Sequence, residues 1–131
     1  MLRLWGTKSP RRRRKEANVN PFPFQSLDIY RAARELAVLV QQAELRDAEL
    51  RDHATRAAKS VFLNVAEGLP ERGHGVRQRH FAIARNSLGE LVAALDLSAA
   101  LGAVEGAKAE QALALAGRVR PMLYGLMRPS R

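Results

Sequence analysis

The chain has 131 residues, 47% hydrophobic and 5% aromatic, with a net charge of +9 and no cysteine. That length suits one domain with a real core. The missing cysteine excludes disulfides and thiolate metal sites and fits a reducing compartment, so a cytoplasmic location is expected.

The charge is unevenly spread. Residues 1–20 hold seven Lys/Arg against one Glu, whereas residues 21–131 hold fifteen Lys/Arg against twelve Asp/Glu. The extreme basicity therefore belongs to a leader, and the body is only mildly basic. Residues 1–23 read as a disordered leader: Arg11 to Lys15 repel one another, and Pro21 and Pro23 force an extended path. No apolar run follows the basic N-terminus, so no secretory signal is expected. The longest apolar region, Leu88 to Val104, is short for a membrane span and carries Glu90 and Asp96.

Residues 24–131 read as one helical domain. An Ala/Leu-rich, aromatic-poor composition favours helices, because these side chains lose little freedom on entering one. A first helix is predicted to begin near Ser26 as N-cap, with Asp28 in its first turn. Its buried stripe is Leu27, Tyr30, Ala33, Leu36 and Val40. A second helix carries Leu50, Ala54, Ala57, Val61 and Val65 and stops at Gly68 and Pro70. The joining segment "AELRDAELRDH" has neither Gly nor Pro, so periodicity alone also allows one continuous helix; Asp47 is the best N-cap for a break. The segment "PERGHGVRQR" reads as a loop. A third helix carries Phe81, Ala84, Leu88, Leu91, Leu95 and Ser98 and ends at Gly102. A fourth starts near Glu105 and carries Ala109, Leu113, Ala116, Val119, Leu123 and Leu126, with a kink expected at Pro121. Four amphipathic helices with short connections fold most simply as an antiparallel up-down-up-down bundle.

A polar stripe interrupts the second helix. Ser60, Asn64 and Glu67 are four and three apart and share one face, while Ser87 and Glu90 form a matching set on the third helix. If the stripes face each other, Asn64 and Ser87 exchange hydrogen bonds and the carboxylates take backbone or Arg donors. Such a layer is costly unless satisfied, but it specifies register.

Four motifs carry a family resemblance: "FQSLDIY" (Phe24 to Tyr30), "RAAKSVFLNVAEG" (Arg56 to Gly68), "IARNSLGEL" (Ile83 to Leu91) and "MLYGL" (Met122 to Leu126). The chain resembles the small four-helix-bundle proteins encoded within intervening sequences of bacterial large-subunit ribosomal RNA genes. The accessory variability proteins of diversity-generating retroelements are relatives of these. Asn86 and His80 depart from the pattern, standing where Gly and an aromatic are usual. The resemblance implies a homopentamer arranged as a barrel. For the retroelement relatives it also implies binding to nucleic acid and to a reverse transcriptase through a basic surface, with no catalytic activity.

The candidate nucleic-acid-binding residues are Arg56, Lys59, Arg72, Arg77, Arg79 and Arg85 around the second turn, and Arg118, Arg120 and Arg128 on the fourth helix. The bland alternative is a solvated turn. Tyr30, Phe81 and Tyr124 all fall on core stripes, which leaves few aromatics for base stacking. No catalytic residue, metal or cofactor is expected: no pair among His53, His74 and His80 has close helical spacing, and His80 and Ser87 lie ~10 Å apart along an axis. Two functions remain open. One is a non-catalytic module that binds RNA; the other is a protein-interaction scaffold for a nucleic-acid enzyme.

Overall fold

The computed structural model describes residues 27–128, which form four helices: α1 (Asp28–Gln42), α2 (Ala48–Gly68), α3 (His74–Ala100) and α4 (Gly106–Met127). The expected leader over residues 1–23 and the Ser26 cap lie outside the described residues. The helices pack as an antiparallel bundle. Contacts at both ends fix the direction. The Arg46 N–H, between α1 and α2, donates to Ala103 O at 2.7 Å, between α3 and α4. At the other end Gln78 Nε2 donates to Leu126 O at 3.3 Å.

The helix ends follow from local chemistry. Asp47 caps α2, its carboxylate accepting from the Leu50 N–H at 2.9 Å. The break before it, which periodicity left open, is imposed by tertiary contacts. Ala43 and Leu45 are buried, and the Arg46 guanidinium donates to Gly102 O at 2.6 Å. Between them Glu44 is forced into the left-handed region (φ 56°), at a cost of order 1 kcal/mol. At the end of α3, Gly102 (φ 70°) supplies that conformation without strain. The Ala103 N–H reaches Ser98 O at 2.8 Å and the Gly102 N–H reaches Ala99 O at 3.1 Å, the paired bonds of a Schellman cap.

Three sequence expectations need correction. The segment Pro70 to Arg79 is not all loop: α3 begins at His74, with Gly73 as N-cap, Gly75 in the first turn and Gly89 further along. Two glycines cost at most about 1 kcal/mol each, which a helix of 27 residues absorbs. Leu27 is exposed and Ile29 takes its place in the core. On α4 the buried face rotates to include Ala112 and Leu115, while Leu113 and Leu126 are half-buried. The helix continues through Pro121, and both Pro121 and Gly117, whose carbonyl loses its helical donor, are exposed residues.

The core has two parts. The larger one runs along the bundle through Leu36, Val61, Leu91, Leu95, Leu115 and Val119. A smaller one, Ile29, Val65, Phe81, Ala84 and Leu123, closes the end that holds the α2–α3 turn. There Phe81 lies against Gly68: a Cβ at that position would sit 2.6 Å from the ring. The stop signal of α2 is thus also a packing requirement. Among the described residues, Ser98 Oγ is buried with no hydrogen-bond partner. Ser98→Ala removes that orphan and is expected to raise stability by about 1 kcal/mol in urea unfolding. A loss of stability would reveal a partner for the hydroxyl.

Candidate nucleic-acid interface

The α2–α3 pair is bound by polar as well as apolar contacts. Ser60 Oγ and Ser87 Oγ lie 2.7 Å apart across the two helices. Asn64 Nδ2 donates to Ser60 O at 2.9 Å and lies 3.3 Å from Ser60 Oγ. With its amide so oriented, Asn64 Oδ1 accepts from His80 Nδ1 at 3.0 Å. The partner of Asn64 on α3 is therefore His80 and not Ser87. The carboxylates likewise pair with histidines: Glu67 with His80 at 3.5 Å, and Glu90 with His53 at 3.2 Å. Ser87 is buried and Ser60 and Asn64 are partly so, whereas Glu67 and Glu90 are exposed. The stripe is a seam that runs from the interior to the surface.

The Ser60–Ser87 pair marks a level across the bundle, and charge divides about it. At the end holding the α2–α3 turn, residues 27–31, 61–86 and 119–128 contain seven Lys/Arg and three Asp/Glu. Beyond the level, residues 32–59 and 88–117 contain six Lys/Arg and nine Asp/Glu. The described domain is an axial electric dipole, although its total charge is small. The basic leader joins α1 at the positive end.

The predicted cations are not equivalent within this frame. Arg72 lies in the turn and Arg79 on α3; both are exposed and meet no carboxylate among the described residues. Arg85 on α3 and Arg120 on α4 line one groove and also lack an acidic partner there. Arg128 is exposed at the end of α4, and Arg118 lies near the dividing level. Arg77 is already engaged: it donates to Gly68 O at 3.2 Å and Leu69 O at 2.7 Å, and its guanidinium lies 5.1 Å from the Phe81 ring centre. It caps the orphan carbonyls of α2 and covers the small core. Arg56 and Lys59 lie on the far side of the level, with Arg56 3.6 Å from Asp52.

Tyr124 is not a core residue. It is 41% exposed, with the Arg120 guanidinium 4.8 Å from its ring centre. The signal was present in the sequence: a cation four residues before an aromatic shares its face on a helix. Among the described residues no group of three His, Cys, Asp or Glu could hold a metal, and no helix is long and apolar enough to cross a membrane.

A family model described as "23S rRNA-intervening sequence protein" matches residues 25–125. The chain belongs to this family. Among solved structures it is similar to a Bacteroides thetaiotaomicron protein described as of unknown function and from the S23 ribosomal protein family. That match has a TM-score of 0.69 at 13% identity and covers 77% of this chain and 99% of the other. At such identity the likeness supports the fold alone. No curated protein matches significantly. The matched region contains the whole α2–α3 seam, so His80 completes a hydrogen-bond chain at a position where the resemblance led us to expect an aromatic.

Asn64→Leu leaves His80 Nδ1 only its longer, exposed contact with Glu67 and removes the bond to Ser60. We expect a loss of about 1–2 kcal/mol in chemical denaturation, and less than that for Ser87→Ala, which leaves the Asn64–His80 bond intact. Equal losses from the two variants would show that the seam does not act through Asn64.

Proposed function

We propose that this protein is a non-catalytic module that binds RNA through phosphate contacts at its basic end. The observation that carries the reading is the axial separation of charge, which gathers Arg72, Arg79, Arg85, Arg120 and Arg128 beside the attachment point of the basic leader. Cations without acidic partners release counterions when they meet phosphates, which gives affinity without sequence reading. Membership of an rRNA intervening-sequence family makes RNA the first polymer to test.

Salt titration of binding to single-stranded RNA tests this. Arg72→Ala combined with Arg79→Ala should lower the magnitude of the log–log salt slope by ~1.4, two phosphate contacts at about 0.7 each. Arg56→Ala, beyond the dividing level and paired with Asp52, should leave the slope unchanged. Arg77→Ala is a poor probe because it uncaps α2. Absence of RNA binding at low salt would instead favour a scaffold for a nucleic-acid enzyme, such as the reverse transcriptase that the retroelement resemblance implies.

We further propose that the module acts as a homo-oligomer, a pentamer by the same resemblance. Supporting this, Val76, Ile83 and Leu97 on α3 are exposed at intervals of seven and fourteen residues, one face of a helix, and Leu63 on α2 is exposed as well. An assembly that repeats the basic end multiplies weak phosphate contacts by avidity. Ile83→Asp should leave the helical circular dichroism intact and shift the sedimentation mass to that of one chain. A wild-type chain that sediments as a monomer at high concentration would remove this part of the reading.

A further inference from the structure

The groove between α3 and α4 has a built character that backbone binding does not use. Its floor is Leu88 and Ala116, buried in the core, with Val92 and Leu113 at one end. Gly89 and Gly117 face into it from the two helices, and a Cβ at either would meet no atom within 4 Å. The groove encloses about 360 Å³, within the usual range of about 300–1,000 Å³ for small-ligand sites.

The antiparallel register gives this groove a direction. Gln78 reaches Leu126 O, so residues further along α3 meet residues earlier on α4. Arg85 therefore lies at the level of Arg120, with Tyr124 one turn nearer the α2–α3 turn, while Val92 lies at the level of Leu113. From Arg85 to Val92 the distance along the helix is ~10 Å. One end presents two guanidinium groups without carboxylate partners among the described residues, and an exposed aromatic ring. The other end is apolar and bounded by backbone at two glycines.

We infer that the α3–α4 groove receives one unstacked nucleotide of single-stranded RNA, its phosphate held by Arg85 and Arg120 and its base lying in the apolar slot. This rests on the RNA reading above and adds the site at which a base is taken out of the stack. Charge complementarity selects the occupant: a phosphate matches two guanidiniums lining one end of the groove, and a flat, largely apolar base face matches the Leu88–Ala116 floor. Tyr124, one ring face covered by the Arg120 guanidinium and still 41% exposed, gives the neighbouring base on the other side of the phosphate a surface to stack on. The slot has aliphatic walls and so tolerates any base, which makes the recognition structural and not a reading of sequence.

The test uses the full chain and a short oligoadenylate with one 2-aminopurine, whose fluorescence reports unstacking. Wild-type protein is expected to change that fluorescence on binding. Gly117→Leu fills the slot at a position with room for a side chain and favours helix. It should abolish the fluorescence change and weaken binding ~10-fold, the loss of one stacked base, with the salt slope retained. Arg85→Ala with Arg120→Ala should instead reduce the slope. Tyr124→Ala, at an exposed position, decides the matter if Gly117→Leu lowers the helical signal: it too should diminish the fluorescence change. If RNA binds with an arginine-dependent slope but Gly117→Leu and Tyr124→Ala leave the 2-aminopurine signal unaltered, the groove inference falls and the RNA reading stands. If Gly117→Leu changes only the sedimentation mass, the groove is a contact between copies and the inference is overturned. If no RNA binds at all, both readings fall together.

Discussion

The polar seam of Ser60, Asn64, Ser87 and His80 sets the register of the α2–α3 hairpin, and the arrangement of the whole bundle depends on that register. Apolar side chains on facing helices slide past one another at little cost, because Ala, Val and Leu present similar surfaces. A partly buried polar seam does not, since a shift of one turn strands its donors and acceptors. With Ser60 opposite Ser87, Asn64 falls within reach of His80, and Gly68 falls under the Phe81 ring. These three contacts are spaced along α2 from the middle of the bundle to its end. They make the hairpin the rigid unit against which α1 and α4 pack.

The same register explains how a mildly basic domain presents a strongly basic face. Each helix spans both ends, so helix composition alone hides the separation. Alignment of the antiparallel elements brings the turn arginines beside the C-terminal arginines of α4 and places Glu44, Asp47, Glu49 and Glu105 together at the far end. There the two loops are tied by Arg46 and by the weak, exposed pair of Lys108 with Glu44. The fields of the two ends are therefore opposite in sign, and such a dipole orients any charged body that comes near.

Much of this was legible in the residues, for identifiable reasons. The third-helix stripe of Phe81, Ala84, Leu88, Leu91, Leu95 and Ser98 is buried throughout, since a long helix at the centre of two pairings must follow its period closely. The Asp47 cap was readable because it needs only its own neighbours. Features that rest on distant partners were not. Nothing local to Glu44 announces a left-handed residue; Arg46 bonding to the other loop imposes it. Nothing near Arg77 marks it as a cap for α2, because the carbonyls it meets are eight and nine residues away across a turn. His80 stood out only as a departure from a pattern. Its meaning as the acceptor-seeking end of the Asn64 chain required the facing helix.

An even number of antiparallel helices has a practical result for anyone handling this molecule. The chain enters α1 and leaves α4 on the same side, the side rich in arginine. A purification tag, fluorophore or surface anchor joined directly to the start of α1 or the end of α4 therefore crowds the cationic face, and an acidic tag would neutralise it. Attachment at the loop around Glu44 or Gly102, on the opposite pole, leaves that face open to solvent.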